Sequence, residues 1–216
     1  MESKIVIEES LTNRDFLERY ASAGCVGLVG ATHLIDIGIK KAQRVIRADR
    51  KDGQWTHAFL FEGCRIDGYH WILESDLDIA KRHFRFGVQE NRITKYFDEK
   101  EYPTIAVLDF GLTQQQIQTV ITTALDLLAE QWKYSIRELF GTLVALPSRR
   151  LSRRPNLLQR ERSLYCSAFV QYVFMKVGLD FAPDIDEKNT APEHIISTKI
   201  PHTAYILKRD INLILK

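Results

Sequence analysis

Cysteine is scarce in this chain of 216 residues: Cys25, Cys64 and Cys166 are odd in number, far apart and without a CxxC pair. Such usage argues against a disulfide scaffold or a zinc site and fits free thiols in a reducing compartment, so a cytoplasmic location is expected. Charge of one sign is lacking as well. A formal net charge of +2 does not announce a nucleic-acid binder, and any electrostatic partner must be sought in local clusters. No uncharged run reaches the ~20 residues that a bilayer span requires. The opening "MESKIVIEES" puts Glu2, Glu8 and Glu9 where a secretory signal would carry basic and then apolar residues. Neither an HExxH pair nor a phosphate-binding glycine loop occurs, so no metal and no cofactor are expected. Internal repeats and Pro/Gly/Ser-rich linkers are missing too. With 45% hydrophobic residues, the expectation is one domain over 1–216 with one sizeable core.

One strong local charge cluster is present. The stretch "SRRLSRRPNLLQRERS", 148–163, holds Arg149, Arg150, Arg153, Arg154, Arg160 and Arg162 against Glu161 alone. It reads either as a solvated loop or as a cover that draws in an acidic substrate or a membrane headgroup. Nucleic acid is disfavoured as a partner, because aromatic residues do not interleave with these arginines. Around the loop, periodicity predicts a helix after Thr12 or Asn13, a buried strand at "CVGLVG" and an amphipathic helix at "HLIDIGIKKAQRVIR". Four strands, "WTHAFLF", "HWILES", "GVQENRITKYF" and "TIAVLDF", then read as an antiparallel meander. Thr113 and Gln116 stand at capping-box spacing before a long helix, and "CSAFVQYVFMKVG" reads as a second one. The fold class is α+β.

Cys166 opens that second helix after the arginines, a position where the helix dipole and nearby cations favour a thiolate. It also stands in register with Val170 and Val173 on one apolar face, so a packed core thiol is the competing interpretation. His57 lies in an apolar strand. If the turn "EGCRIDG" closes between Arg65 and Ile66, Glu74 falls directly opposite His57, with Cβ atoms ~5 Å apart, and a carboxylate meets the imidazole. A slipped hairpin would bring Ser75 or Asp76 nearer; Asp76 and Asp78 otherwise read as surface charges. The remaining histidines, His33, His70, His83, His194 and His202, have no acidic residue so placed.

At these residues the chain resembles the circularly permuted members of the NlpC-type papain-like cysteine peptidase superfamily, which includes YiiX-like and YaeF-like bacterial proteins. In that family a strand histidine, a glutamate on the next strand and a "CSxfv" helix follow in this order; here they are "THAFLF", "WILES" and "YCSAFVQYVF". The similarity extends to "WKYSIREL", with Tyr134, and to "NTAPEHI", and runs from about Gly24 onward. It implies a permuted papain-like fold and a Cys166–His57–Glu74 triad acting on a peptide, another amide or a lipid-like substrate. Tyr134 and Tyr165 are the implied substrate contacts. Tyr165 holds a place where non-permuted relatives carry aspartate, so murein-peptide recognition does not transfer. Amidase or peptidase activity is the first expectation. A lipid-directed acyltransferase or esterase, and a non-catalytic binding module, are the alternatives.

Overall fold

The computed structural model describes residues 2–32, 34–78, 85–133, 141–142, 145–146, 149–153 and 164–209. Seven strands form one sheet: β1 (Lys4–Glu8), β2 (Val26–Gly30), β3 (His57–Cys64), β4 (His70–Asp78), β5 (Arg85–Arg92), β6 (Thr104–Asp109) and β7 (Thr203–Leu207). Their order is β1-β7-β6-β2-β3-β4-β5. Every pairing is antiparallel except that of β1 with β7. The described α-helices are α1 (Asn13–Tyr20), α2 (Leu34–Ala42), α3 (Gln114–Ala129), α4 (Arg149–Ser152), α5 (Cys166–Met175) and α6 (Pro192–Ile196), with 3-10 turns at Gln43–Val45, Ile93–Tyr96 and Glu187–Asn189. The α+β class is as expected.

The expected four-strand meander holds only for β3, β4 and β5. Instead of extending the sheet beyond β5, β6 returns to its middle, between β2 and β7. Burial explains the position: Ile105, Ala106, Val107 and Leu108 are all fully buried, and a strand buried on both faces belongs inside a sheet rather than at its edge. β2 is buried along its whole length for the same reason.

Alternation along the strands feeds two cores. Ala58, Leu60 and Leu73 face α3 and α5, where Val120, Ala124, Phe169, Val170 and Val173 meet them. Phe59, Phe61 and Ile72 face the other way, toward Phe16 and Leu17 of α1 and toward Tyr96. The Phe59 ring lies so close over Gly27 that a Cβ added there would fall 2.1 Å from it, so only glycine fits that position. Thr12 caps α1, and the Thr113–Gln116 capping box opens α3 as the sequence predicts. No helix among the described residues is long and apolar enough to cross a membrane.

The β3–β4 hairpin departs from the predicted register. Residues 65–69 form a wider loop, closed by the Arg65 amide on the Tyr69 carbonyl and by Gly68 at φ 78°. A bulge between Phe61 and Gly63, with Gly63 at φ 127°, shifts the pairing again. Leu60 therefore pairs with Leu73, and continuing that register sets Phe59 opposite Glu74 and His57 opposite Asp76. The displacement is even, so His57, Glu74 and Asp76 still share one face.

Candidate active site

His57 is the first residue of β3, and its Nε2 lies 2.7 Å from the Glu74 Oε2. The two residues meet along a diagonal of the hairpin rather than straight across it, a reach that long side chains manage. Glu74 is fully buried, while the His57 side chain keeps 15% of its exposure. The carboxylate is saturated by donors. Oε2 also accepts from the Tyr96 hydroxyl at 2.5 Å, and Oε1 accepts from Asn91 Nδ2 and Lys95 Nζ, each at 2.7 Å. The same Lys95 ammonium bonds to Asp76 and so bridges two carboxylates on adjacent same-face positions of β4.

This environment fixes the charge of each member. Burial works to raise the Glu74 pKa, but the Lys95 charge and the His57 hydrogen bond outweigh it and hold the carboxyl well below the usual range. Burial would likewise lower Lys95, yet Glu74 and Asp76 keep it charged far above the ordinary lysine value. For His57, burial opposes the charged form. Negative charge on Cys166 and on Asp76, with hydrogen bonds to Cys166 and Glu74, lifts its pKa well above the ordinary histidine value. Tyr96 is raised well above its usual value, by burial first and then by the two carboxylates, and stays a phenol donor.

Cys166 approaches from the other core. It is the first residue of α5 and only 3% exposed, packed with Leu60, Leu73 and Phe169. Ser75, between Glu74 and Asp76, points to that opposite face and donates its buried hydroxyl to the Leu164 carbonyl at 2.6 Å. One strand thus serves both halves of the site: its same-face carboxylates surround His57, and its alternate residue pins the segment that leads into Cys166. Tyr165 occupies the N-cap position of α5, and its side chain makes no cap hydrogen bond.

Of the sequence candidates, the structure brings His57, Glu74 and Cys166 together. Tyr134 lies outside the described residues, as do Arg154, Arg160 and Arg162. Tyr165, expected at the substrate, is placed in the core at 1% exposure. Its hydroxyl donates to the Thr190 carbonyl at 2.7 Å and accepts from Thr142 at 3.1 Å, so its apolar bulk and both polar capacities go to packing. Arg153 pairs with Asp184 at 3.4 Å at the surface. Among the described residues, His57 is the histidine paired with a carboxylate: His194 accepts from the Ala191 amide, and His202 contacts the Ile200 carbonyl.

Three members of the site were not anticipated. Asp76, otherwise read as a surface charge, comes near through a register shift of the kind the sequence left open. Asn91, Lys95 and Tyr96 lay within "GVQENRITKYF", which read as one strand. It is β5 followed by a 3-10 turn, Ile93–Tyr96, and that turn carries Lys95 and Tyr96 back over Glu74.

The expectation that this chain takes no metal is overturned by the same cluster. His57, Glu74 and Asp76 bring one ligand atom each to within 4.8 Å of one another. The sequence spacing concealed the set because its members come from two strands of a hairpin, not from one helical face. No family model matches the chain, and no curated protein matches it. In fold it is similar to the crystal structure of the metalloprotein YiiX from Escherichia coli O157:H7, with a TM-score of 0.54 and 12% sequence identity. The similarity covers 86% of this chain and 96% of that one. At that identity the likeness shows a shared fold alone.

Proposed function

We propose that the chain is a cysteine hydrolase of the permuted papain-like type, acting on an amide through a thioester at Cys166. The observation that carries the proposal is the setting of His57, with Glu74 bonded to Nε2 on one side and Cys166 acting on the ring from the other. With Nε2 engaged, Nδ1 is the nitrogen that exchanges a proton with the thiol. In this reading Nδ1 takes the Cys166 proton, the sulfur adds to the substrate carbonyl, and the same proton passes to the leaving amine as the C–N bond breaks. Water then hydrolyses the thioester, with His57 as its general base. Glu74, fixed by Tyr96, Asn91 and Lys95, holds the ring orientation and stabilises the imidazolium. The uncapped first turn of α5 supports a role for the Cys166 backbone amide in meeting the oxyanion.

A panel of peptide, isopeptide and ester substrates tests the reading. It predicts a mass increment on Cys166 equal to the acyl group, lost in Cys166→Ala and in His57→Ala. Turnover without any adduct, unaffected by Cys166→Ala, would overturn it. An adduct from lipid esters alone would assign the esterase or acyltransferase alternative.

A second reading, favoured by the converging ligand atoms and by the metalloprotein neighbour, places a divalent ion at His57, Glu74 and Asp76. The fit is conditional on Lys95. Its ammonium already supplies positive charge between the two carboxylates, and both Glu74 oxygens are in use, so an ion enters only by displacing it. Metal analysis of the purified protein separates the readings: about one equivalent, lost in Asp76→Asn with Cys166 intact, would favour the ion.

A further inference from the structure

We propose that two copies of this chain join through β1, edge to edge, into one continuous sheet across a two-fold axis at Val6. β1 ends the described sheet, with β7 on one side. Its sequence, KIVIE, has no proline, and its pairing with β7 shows no bulge, so of the devices that blunt a sheet edge this strand carries only its short length and its terminal charges, Lys4 and Glu8. Ile5 and Ile7 are 66% and 50% exposed. They stand beside Ala204 and Ile206 of β7, residues of the core that faces α3 and α5. The apolar layer of that core therefore continues to the open edge.

Backbone direction fixes one register. The Lys4 amide donates to the His202 carbonyl and the Glu8 carbonyl accepts from the Lys208 amide, so Lys4, Val6 and Glu8 turn their polar groups toward β7. By alternation the amides and carbonyls of Ile5 and Ile7 point outward. Antiparallel self-pairing about Val6 places Ile5 against Ile7 of the second copy, with both residues presenting outward groups, so each such pair exchanges two hydrogen bonds. The same register sets Lys4 opposite Glu8 of the second copy, twice over by symmetry. All five residues are matched, in charge, apolarity and hydrogen-bonding direction. Pairing about Ile5 or Ile7 instead would set a charged residue against Val6. A second copy is the occupant that this self-complementary pattern fits.

Sedimentation across a range of concentrations, with charge reversal, tests the register. The protein is expected to dimerise. Lys4→Glu and Glu8→Lys each put like charges across both pairs and are expected to weaken self-association at least about tenfold. An equimolar mixture of the two variants restores opposite charges at every pair and is expected to form a heterodimer. That recovery distinguishes the interface from a fold defect, as does Ile5→Lys, which disrupts the dimer without touching the bonds to β7. A wild-type protein that is monomeric throughout overturns the proposal, whether its Ile5 and Ile7 amides exchange freely or are protected by other parts of the chain. Dimers indifferent to all these changes overturn it too.

Discussion

Lys95 is the residue on which the site's electrostatics turn. It neutralises two buried or half-buried carboxylates at once and does so from a turn, where its backbone is set by Ile93 and Tyr96 packing into the core. Replacing it by methionine keeps the length of the side chain and leaves Glu74 and Asp76 without the ammonium that bridges them. Loss of a buried partner of this kind costs on the order of 3 kcal/mol, and chemical denaturation is expected to report it. In the metal reading the same variant has a second outcome, since Lys95→Met vacates the place of the ion and raises divalent affinity. Cys25 is a useful internal contrast. Burial, followed by the nearby Asp109, pushes its thiol up to about 12, so near neutrality it remains protonated and inert.

At the scale of elements, β4 does the positioning. Its alternation sends Glu74 and Asp76 to one core and Ser75 to the other, where the hydroxyl holds Leu164 ahead of Cys166. Ser75→Ala strands a buried carbonyl and is expected to lower stability by about 1–2 kcal/mol. On the proposed function, kcat/KM should fall further than the folded fraction does, because the start of α5 loses its tether to the strand that carries Glu74. Much of this was legible in the sequence. The capping box of α3, the apolar run of α5 and the parity of His57 with Glu74 are local patterns, and local patterns survive a misplaced turn. The register itself was not legible, since it depends on a bulge at Gly63 and on a wide loop with Gly68 at positive φ, and glycine permits both without requiring either. Lys95 was missed, and Asp76 left as an alternative, for a related reason: charged residues read as solvated until their partners, brought from other strands, are known.

For the whole molecule, the sheet gathers β1 and β7 from the two ends of the described chain and sets β6 and β2 at its centre. The ends escaped sequence reading because β1 and β7 are five residues each and pair over nearly the full length of the chain, beyond the reach of local periodicity. Stability as a function of pH is a property at this scale. Glu74 has a folded pKa below its unfolded value of ~4.3, so the stability from its bonds is complete above that pH and is lost as pH falls through the acid range. His57 acts in the opposite sense: its contribution is complete below ~6.5 and fades as pH rises through the raised folded value. Urea unfolding at a series of pH values is therefore expected to show a steep loss of stability below pH ~4. Glu74→Gln should make that acid limb shallower, whatever its effect at neutral pH.

The central claim, that His57 and Cys166 form a reactive pair on Glu74, is tested most directly by the alkylation rates of the three cysteines in the native protein. At mildly acidic pH a small thiolate-specific reagent should modify Cys166 well before Cys25 and Cys64, and His57→Ala should abolish that order. Equal rates at all three, or a Cys166 rate indifferent to His57, would contradict the account.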